Sequence, residues 1–441
     1  MIDQSPIQTG SHATTATLAA DSPCADVAPG ITSRTAIETV ERFESVAEFP
    51  HVLRHPLRAI VWFVELIFGA VVLWLLLAVI ASVPVGNLLS LGYVLEAEGR
   101  VARSGKLRHA LFLLPAAARL GSIIVGFAVW LVPVWLVAEA AADASWIASD
   151  GSMPWVWRVA LAAVVSLVGL HLLLAMARGG GLGCFFRPIK NVRWLRAQLR
   201  AGTYWPMAHA ATRDFLNAWR LPHHLRLGAV GFVGTAAWLA IPTALYATLR
   251  DSSATWQWLV TFAGGACLVP VLGWLPILQA QFAAESRIGA MFDLRAAREL
   301  IRHAPIGWLL ATTALYALSI PLFFYSLDLK MHLPPHRGIF DLAFISLGCS
   351  FPARIFLGWT CYRAKTRQQR YSGQAKTMAS LPQEVGSSWR ARLRTAIVWT
   401  SRTVLFVALG LFVWLLFHTR FTTEHSPLLL QHHSLLLPIP F

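Results

Sequence analysis

The chain is short of charge. Only 13% of its 441 residues are Asp, Glu, Lys or Arg, whereas 56% are hydrophobic. That excludes an ordinary water-soluble domain, in which about a quarter of the residues are charged. Acidic residues are scarcest, 22 against 37 basic, giving a formal net charge of +15. On a soluble protein such an excess would point to nucleic acid. Here no zinc finger or aromatic-laced sheet motif accompanies it, and the basic residues fall between apolar runs, so no nucleic-acid partner is expected. The five cysteines (Cys24, Cys184, Cys267, Cys349 and Cys361) form no CxxC pair and no metal-ligand spacing, which excludes a zinc ribbon. Met1 to Gly10 lack the basic and apolar stretches of a signal peptide, leaving the first apolar run as the expected targeting signal.

Catalytic patterns are missing as well. None of the 15 histidines stands in HExxH; His332 and His336 have helical spacing, but Pro334 and Pro335 between them break the helix. Gly179-Gly180-Gly181-Leu182-Gly183 has the glycine content of a phosphate loop without its lysine and hydroxyl residue. There is no GxSxG serine. No catalytic residue, cofactor or metal is expected on these grounds.

What the chain does have is long apolar runs. A bilayer core of about 30 Å needs about 20 apolar residues per helix. Eight candidate spans run near 58–83, 119–142, 154–177, 226–248, 256–280, 306–328, 340–362 and 395–418. The expected fold class is therefore all-α, a polytopic helical membrane protein. Before the spans, residues 1–33 read as a disordered tail rich in Ser, Thr, Ala and Pro. Residues 34–56 read as a short amphipathic helix, with Thr35 and Glu38 as a capping box. After them comes an apolar tail, 419–441, whose stretch Leu428 to Phe441 is too short and too proline-terminated to cross alone.

The charges between spans carry orientation. Four basic residues follow the first span (Arg100, Arg103, Lys106, Arg108), eight lie from Arg178 to Arg220, four from Arg287 to Arg302, and eight from Arg363 to Arg394. Lys and Arg hold loops on the cytoplasmic side, which places these four segments there, against anionic lipid headgroups. For the first step two models stand side by side. Either the chain's N-terminal tail is exported, or Pro84 and Gly86 turn the chain so that 86–99 comes back as a short return helix.

The matching loop counts suggest an internal duplication. At an offset of 187, Ala97-Glu98-Gly99-Arg100-Val101 aligns with Ala284-Glu285-Ser286-Arg287-Ile288, and Leu107-Arg108 with Leu294-Arg295. This implies two parallel four-helix repeats, 57–248 and 249–418, with Glu98, Arg100, Glu285 and Arg287 as a candidate cytoplasmic interface or a charged girdle. The acidic, basic and histidine side chains deepest inside the spans are Glu65, His171 and Arg354, and a Glu65 to Arg354 ion pair is the expected way to neutralise two of them.

The stretch Leu91-Gly92-Tyr93-Val94-Leu95-Glu96-Ala97-Glu98-Gly99-Arg100 to Arg108 resembles a segment of uncharacterised multi-pass membrane proteins of planctomycete bacteria. So do Gln281 to Arg287 with Met291-Phe292, and the tail from Gln431-His432 to Phe441. The resemblance implies a bacterial inner membrane and favours the return helix, and it brings no activity or catalytic residue with it. The leading expectation is a non-enzymatic scaffold or subunit that supports a membrane complex through a membrane protein partner. A transporter or channel of two similar halves is the alternative, and an intramembrane enzyme acting on lipid the third.

Overall fold

The computed structural model describes residues 56–147, 152–246, 255–318, 320, 338–378 and 388–422. The expected N-terminal tail, nearly all of the 34–56 helix, the chain beyond Thr422, His332 and His336 lie outside them. Every regular element among the described residues is helical. In chain order the helices are α1 (Pro56–Ala81), α2 (Gly86–Ser104), α3 (Leu114–Ile147), α4 (Met153–Ala177), α5 (Pro188–Arg200), α6 (Tyr204–Ala218), α7 (Leu221–Tyr246), α8 (Thr255–Glu285), α9 (Leu294–His303), α10 (Pro305–Ala317), α11 (Gly338–Met378) and α12 (Ser388–Thr422).

Seven of them, α1, α3, α4, α7, α8, α11 and α12, contain a stretch long and apolar enough to cross a membrane. The protein is a polytopic all-α membrane protein, and these seven coincide with seven of the eight expected spans. The remaining one, 306–328, is described as the shorter apolar helix α10; most of its second half lies outside the described residues.

The helices group into two compact units, Ser122–Ala211 and the residues on either side of it in sequence. That division runs through the expected first repeat, since α7 belongs with α8 to α12. In the smaller unit α3 and α4 pack through Ile123, Phe127, Trp130, Val164, Val168 and Leu172.

The larger unit is organised around α2. The chain leaves α1 at Ala81, turns through 82–85 with Val85 at φ 69°, and comes back antiparallel, with Ser90 Oγ donating to the Leu77 carbonyl at 3.0 Å. This is the return helix. It is 19 residues long and buries 13 of them, including Asn87, Ser90, Glu96 and Glu98. The neighbours come close because glycines let them: a Cβ on Gly92 would collide with the His224 carbonyl of α7, one on Gly228 of α7 with the Leu88 carbonyl, and one on Gly99 with the Ala283 carbonyl of α8. Small residues at helix crossings let backbones approach, the main source of attraction where lipid offers no hydrophobic gain.

Contacts fix the directions. Helices α2, α8 and α11 run parallel, because Arg103 reaches the Ala283 and Ala284 carbonyls, Gly105 lies against Tyr362, and Lys365 pairs with Glu285 at 3.6 Å. Helix α7 starts at their C-terminal end, where His223 meets Glu96 at 3.3 Å, and Arg394 of α12 stacks on Tyr371 there. Three of the four basic segments thus gather at one end of this unit, and α1, antiparallel to α2, begins at that end too.

Candidate functional site

Helix α2 is the site's frame. Its entry needs Gly86, where a Cβ would strike the Ile80 carbonyl; its exit needs Gly105, at φ 70° with its N–H on the Val101 carbonyl. Lys106 is extended, and a 3-10 turn at Leu107–Leu111 follows. Helix α8 leaves in the same way. Ser286 stands at φ 54° with its N–H on the Phe282 carbonyl, Arg287 is extended, and a 3-10 turn runs over Ile288–Met291. The structure therefore matches Gly105 to Ser286, whereas the sequence offset matches it to Phe292. Glu98 lies inside α2 while Glu285 ends α8, so the two glutamates do not occupy equivalent places.

Glu98 is fully buried. Its Oε2 accepts from Arg354 Nη1 of α11 at 3.1 Å, and Arg354 is itself 1% exposed. This corrects two expectations: Arg354 pairs with Glu98 and not with Glu65, and Glu98 belongs to no surface. The pair bridges residues 256 apart in sequence and ties α2 to α11. Glu98 Oε1 has no hydrogen-bond partner among the described residues. Burying two charges is costly, so such a pair adds little net stability against apolar replacements, but removing one member costs about 3–5 kcal/mol.

Two residues earlier, Glu96 is a hub. Its Oε1 accepts from Arg100 Nε at 2.9 Å and from Arg103 Nη2 at 3.1 Å, and its Oε2 lies 3.3 Å from His223 Nε2. Burial alone would raise the Glu96 carboxyl, but hydrogen bonds from Arg100 and His223 and the charges of Arg100 and Arg103 outweigh it, leaving the carboxyl below the ordinary glutamate range. Arg100 is held on its other side by the Phe112 ring, 3.9 Å from the centroid. Arg100 is thus a half-buried strut, and its place in the expected interface is filled by Arg103, whose side chain is 43% exposed.

The other expected residues are distributed as follows. Glu285 and Arg287 pair on the surface at 2.7 Å, with Lys365 on the other carboxylate oxygen. Glu285 holds the Arg287 guanidinium above its usual pKa. His171 is buried in the smaller unit, where its Nε2 meets the Phe185 carbonyl at 2.8 Å beside Trp130 Nε1 at 2.9 Å. Both nitrogens face one carbonyl oxygen, so His171 donates there and latches the short turn Leu182–Phe185 onto α3 and α4.

Glu65 stands alone. It is exposed on the outer side of α1, surrounded by exposed Ile60, Val61, Val64 and Ile67, and has no partner among the described residues.

Two features escape a sequence reading. His223 and His224 look like an interfacial pair, yet only His223 is half-exposed. His224 is buried between Tyr93 and Phe112, with neither ring nitrogen hydrogen-bonded among the described residues. Burial of α2 as a whole is the second, because its mixed polarity resembles a surface helix. Among the described residues no three His, Cys, Asp or Glu side chains converge as metal ligands. No protein-family model, curated protein or solved structure matches the chain.

Proposed function

We propose that this protein is a non-enzymatic subunit of a membrane complex, and that a partner helix packs on the first half of α1 and neutralises Glu65. One observation carries the reading. A carboxylate about 14 Å along a 26-residue apolar helix, exposed on its outer side, sits at membrane depth, where an unpaired charge costs several kcal/mol. The surrounding surface is apolar, with Leu57, Ile60, Val61, Phe63, Val64 and Ile67 all about half exposed or more. A partner helix offering Lys, Arg or a hydrogen-bond donor at that depth removes the cost. The buried charges of α2 support the same reading, because they are engaged in holding helices together.

The bilayer in this proposal is a bacterial inner membrane, as the resemblance of residues 91–108 implies, with the basic end of the larger unit on the cytoplasmic side. The transporter alternative gains less support. It uses Glu65, His171 and Arg354 as a pathway, and Arg354 is taken up by Glu98 and His171 by Phe185.

The test is purification of the tagged protein from its native membrane into nanodiscs, followed by mass spectrometry, with a photo-crosslinking residue at Val64. A stoichiometric companion crosslinked at 64 and lost in Glu65→Leu is the expected result. A protein that purifies alone, and crosslinks at 64 only to lipid, overturns the proposal.

A further inference from the structure

Helix α5 belongs to none of the interactions above, and its surface is divided in an unusual way. Asn191 is fully buried and fastens the first turn of α5 to the end of α4: its Nδ2 donates to the Cys184 carbonyl at 2.8 Å, and its Oδ1 accepts from Arg178 Nη1 at 3.1 Å. The helix therefore begins one hydrogen bond away from the terminus of a span, at headgroup level.

Its exposed arc has two neighbouring stripes. Ile189, Val192 and Leu199 stand 69%, 42% and 55% exposed on one, at spacings that bring them to the same side of a helix. Lys190, Arg193 and Arg200 occupy the other, Arg196 stands within the apolar stripe between Ile189 and Val192, and all four cations are exposed. No Asp or Glu occurs between Ala177 and Asp214 to balance them. Trp194 of α5 meets Tyr204 of α6 at 6.2 Å between ring centroids, and Tyr204 meets Trp205 at 5.2 Å, and aromatic residues collect at membrane interfaces.

We propose that α5 is an anionic-phospholipid-binding helix lying in the headgroup layer, with Ile189, Val192 and Leu199 in the acyl boundary and the four cations on lipid phosphates. An apolar stripe flanked by Lys and Arg is the pattern of helices that lie in the interface plane, where attraction to anionic headgroups adds to buried apolar area. Arg196 lies within the apolar stripe, between Ile189 and Val192 around the helix, where a long side chain can cover apolar surface while its guanidinium reaches the phosphates. The inference rests on the membrane reading and is independent of a partner at Glu65.

The test uses the full-length protein without any partner, reconstituted in nanodiscs of phosphatidylcholine with or without phosphatidylglycerol. A genetically encoded nitroxide residue is placed at each position from 188 to 200, and collisions with oxygen and with a water-soluble nickel complex are measured. The expected result is oxygen maxima at 189, 192 and 199 and nickel maxima at 190, 193 and 200, with a contrast several-fold larger when phosphatidylglycerol is present. Replacing Lys190, Arg193, Arg196 and Arg200 by Gln should abolish that lipid dependence while the spans stay folded. Nickel reaching 189, 192 and 199 as readily as 190 means a solvated helix, and exclusion of both probes means a face covered by protein; either overturns the proposal. Inorganic phosphate reproducing the phosphatidylglycerol effect would assign the cations to a free anion and overturn the lipid assignment. Loss of the Glu65 companion changes none of these readings.

Discussion

Helices α1 and α2 are the two arms of one hairpin, and they reverse the rule of a soluble protein. The apolar arm is the exposed one: over its first three turns Leu57, Ile60, Val61, Phe63 and Val64 all point outward. The polar arm, carrying Asn87, Ser90, Glu96 and Glu98, is the buried one. In water, burial rewards apolar surface. In a bilayer the lipid already receives apolar surface, so the interior is where polar groups find partners and where glycines allow close approach. Hydropathy along this chain reports what touches lipid, and packing has to be read from glycine and charge.

The sharpest way to break that contrast is to remove one charge from the core. Glu98→Leu or Arg354→Met alone should lower stability by about 3–5 kcal/mol, seen as a large drop in thermal midpoint in detergent or as loss of folded yield. The double replacement should recover most of it; a double variant as unstable as the singles would mean the site needs charge for more than pairing. Next in size is Gly92→Val, which pushes α7 off α2. Overpacking of this kind costs about 1–3 kcal/mol, and an unchanged midpoint would refute the close approach. The same replacement at Gly169, which has open space around it, is the control.

A smaller effect separates Glu96 from Glu98. Because the folded state holds the Glu96 carboxyl below its ordinary range, its contribution is complete above that range and fades as the pH falls through the lowered folded value. Thermal midpoints should therefore decline on acidification below about pH 4, and Glu96→Gln should remove this part of the decline at a lower neutral-pH midpoint. An acid profile identical in wild type and variant would detach Glu96 from the titration. The smallest effect is expected on the other arm. Glu65→Leu should leave the stability of the isolated protein unchanged or slightly higher, because no described residue pairs with Glu65, and a destabilised isolated variant would place the contact of Glu65 within this chain.

Much of the fold is legible along the sequence, because runs such as 58–83 and 154–177 are long enough to leave little choice in a bilayer. The return helix is legible as one of two models, from Pro84 and Gly86. The pairing of Arg354 is not. Depth along a span can be counted, and on that basis Glu65 and Arg354 are plausible partners, but which way a side chain faces depends on neighbours that sequence does not place. Glu65 turns outward and Arg354 inward. The expected repeat shows a related limit: the Ala-Glu-x-Arg identities align Glu98 with Glu285, while the left-handed exits of the backbone stand at Gly105 and Ser286. Identity of letters and identity of geometry fall in different registers here.

The burial of α2 also sets an order of events during synthesis. With Glu96, Glu98, Arg100 and Arg103 on one short helix, α2 has poor odds of entering lipid alone, since each such residue near mid-membrane costs about 2.5–3.5 kcal/mol on insertion. The counter-charge for Glu98 arrives 256 residues later. At about 5–20 residues per second that is a wait of roughly 13–50 seconds. Through that interval the nascent chain holds an unfinished hairpin, with α2 waiting for the charge that closes it.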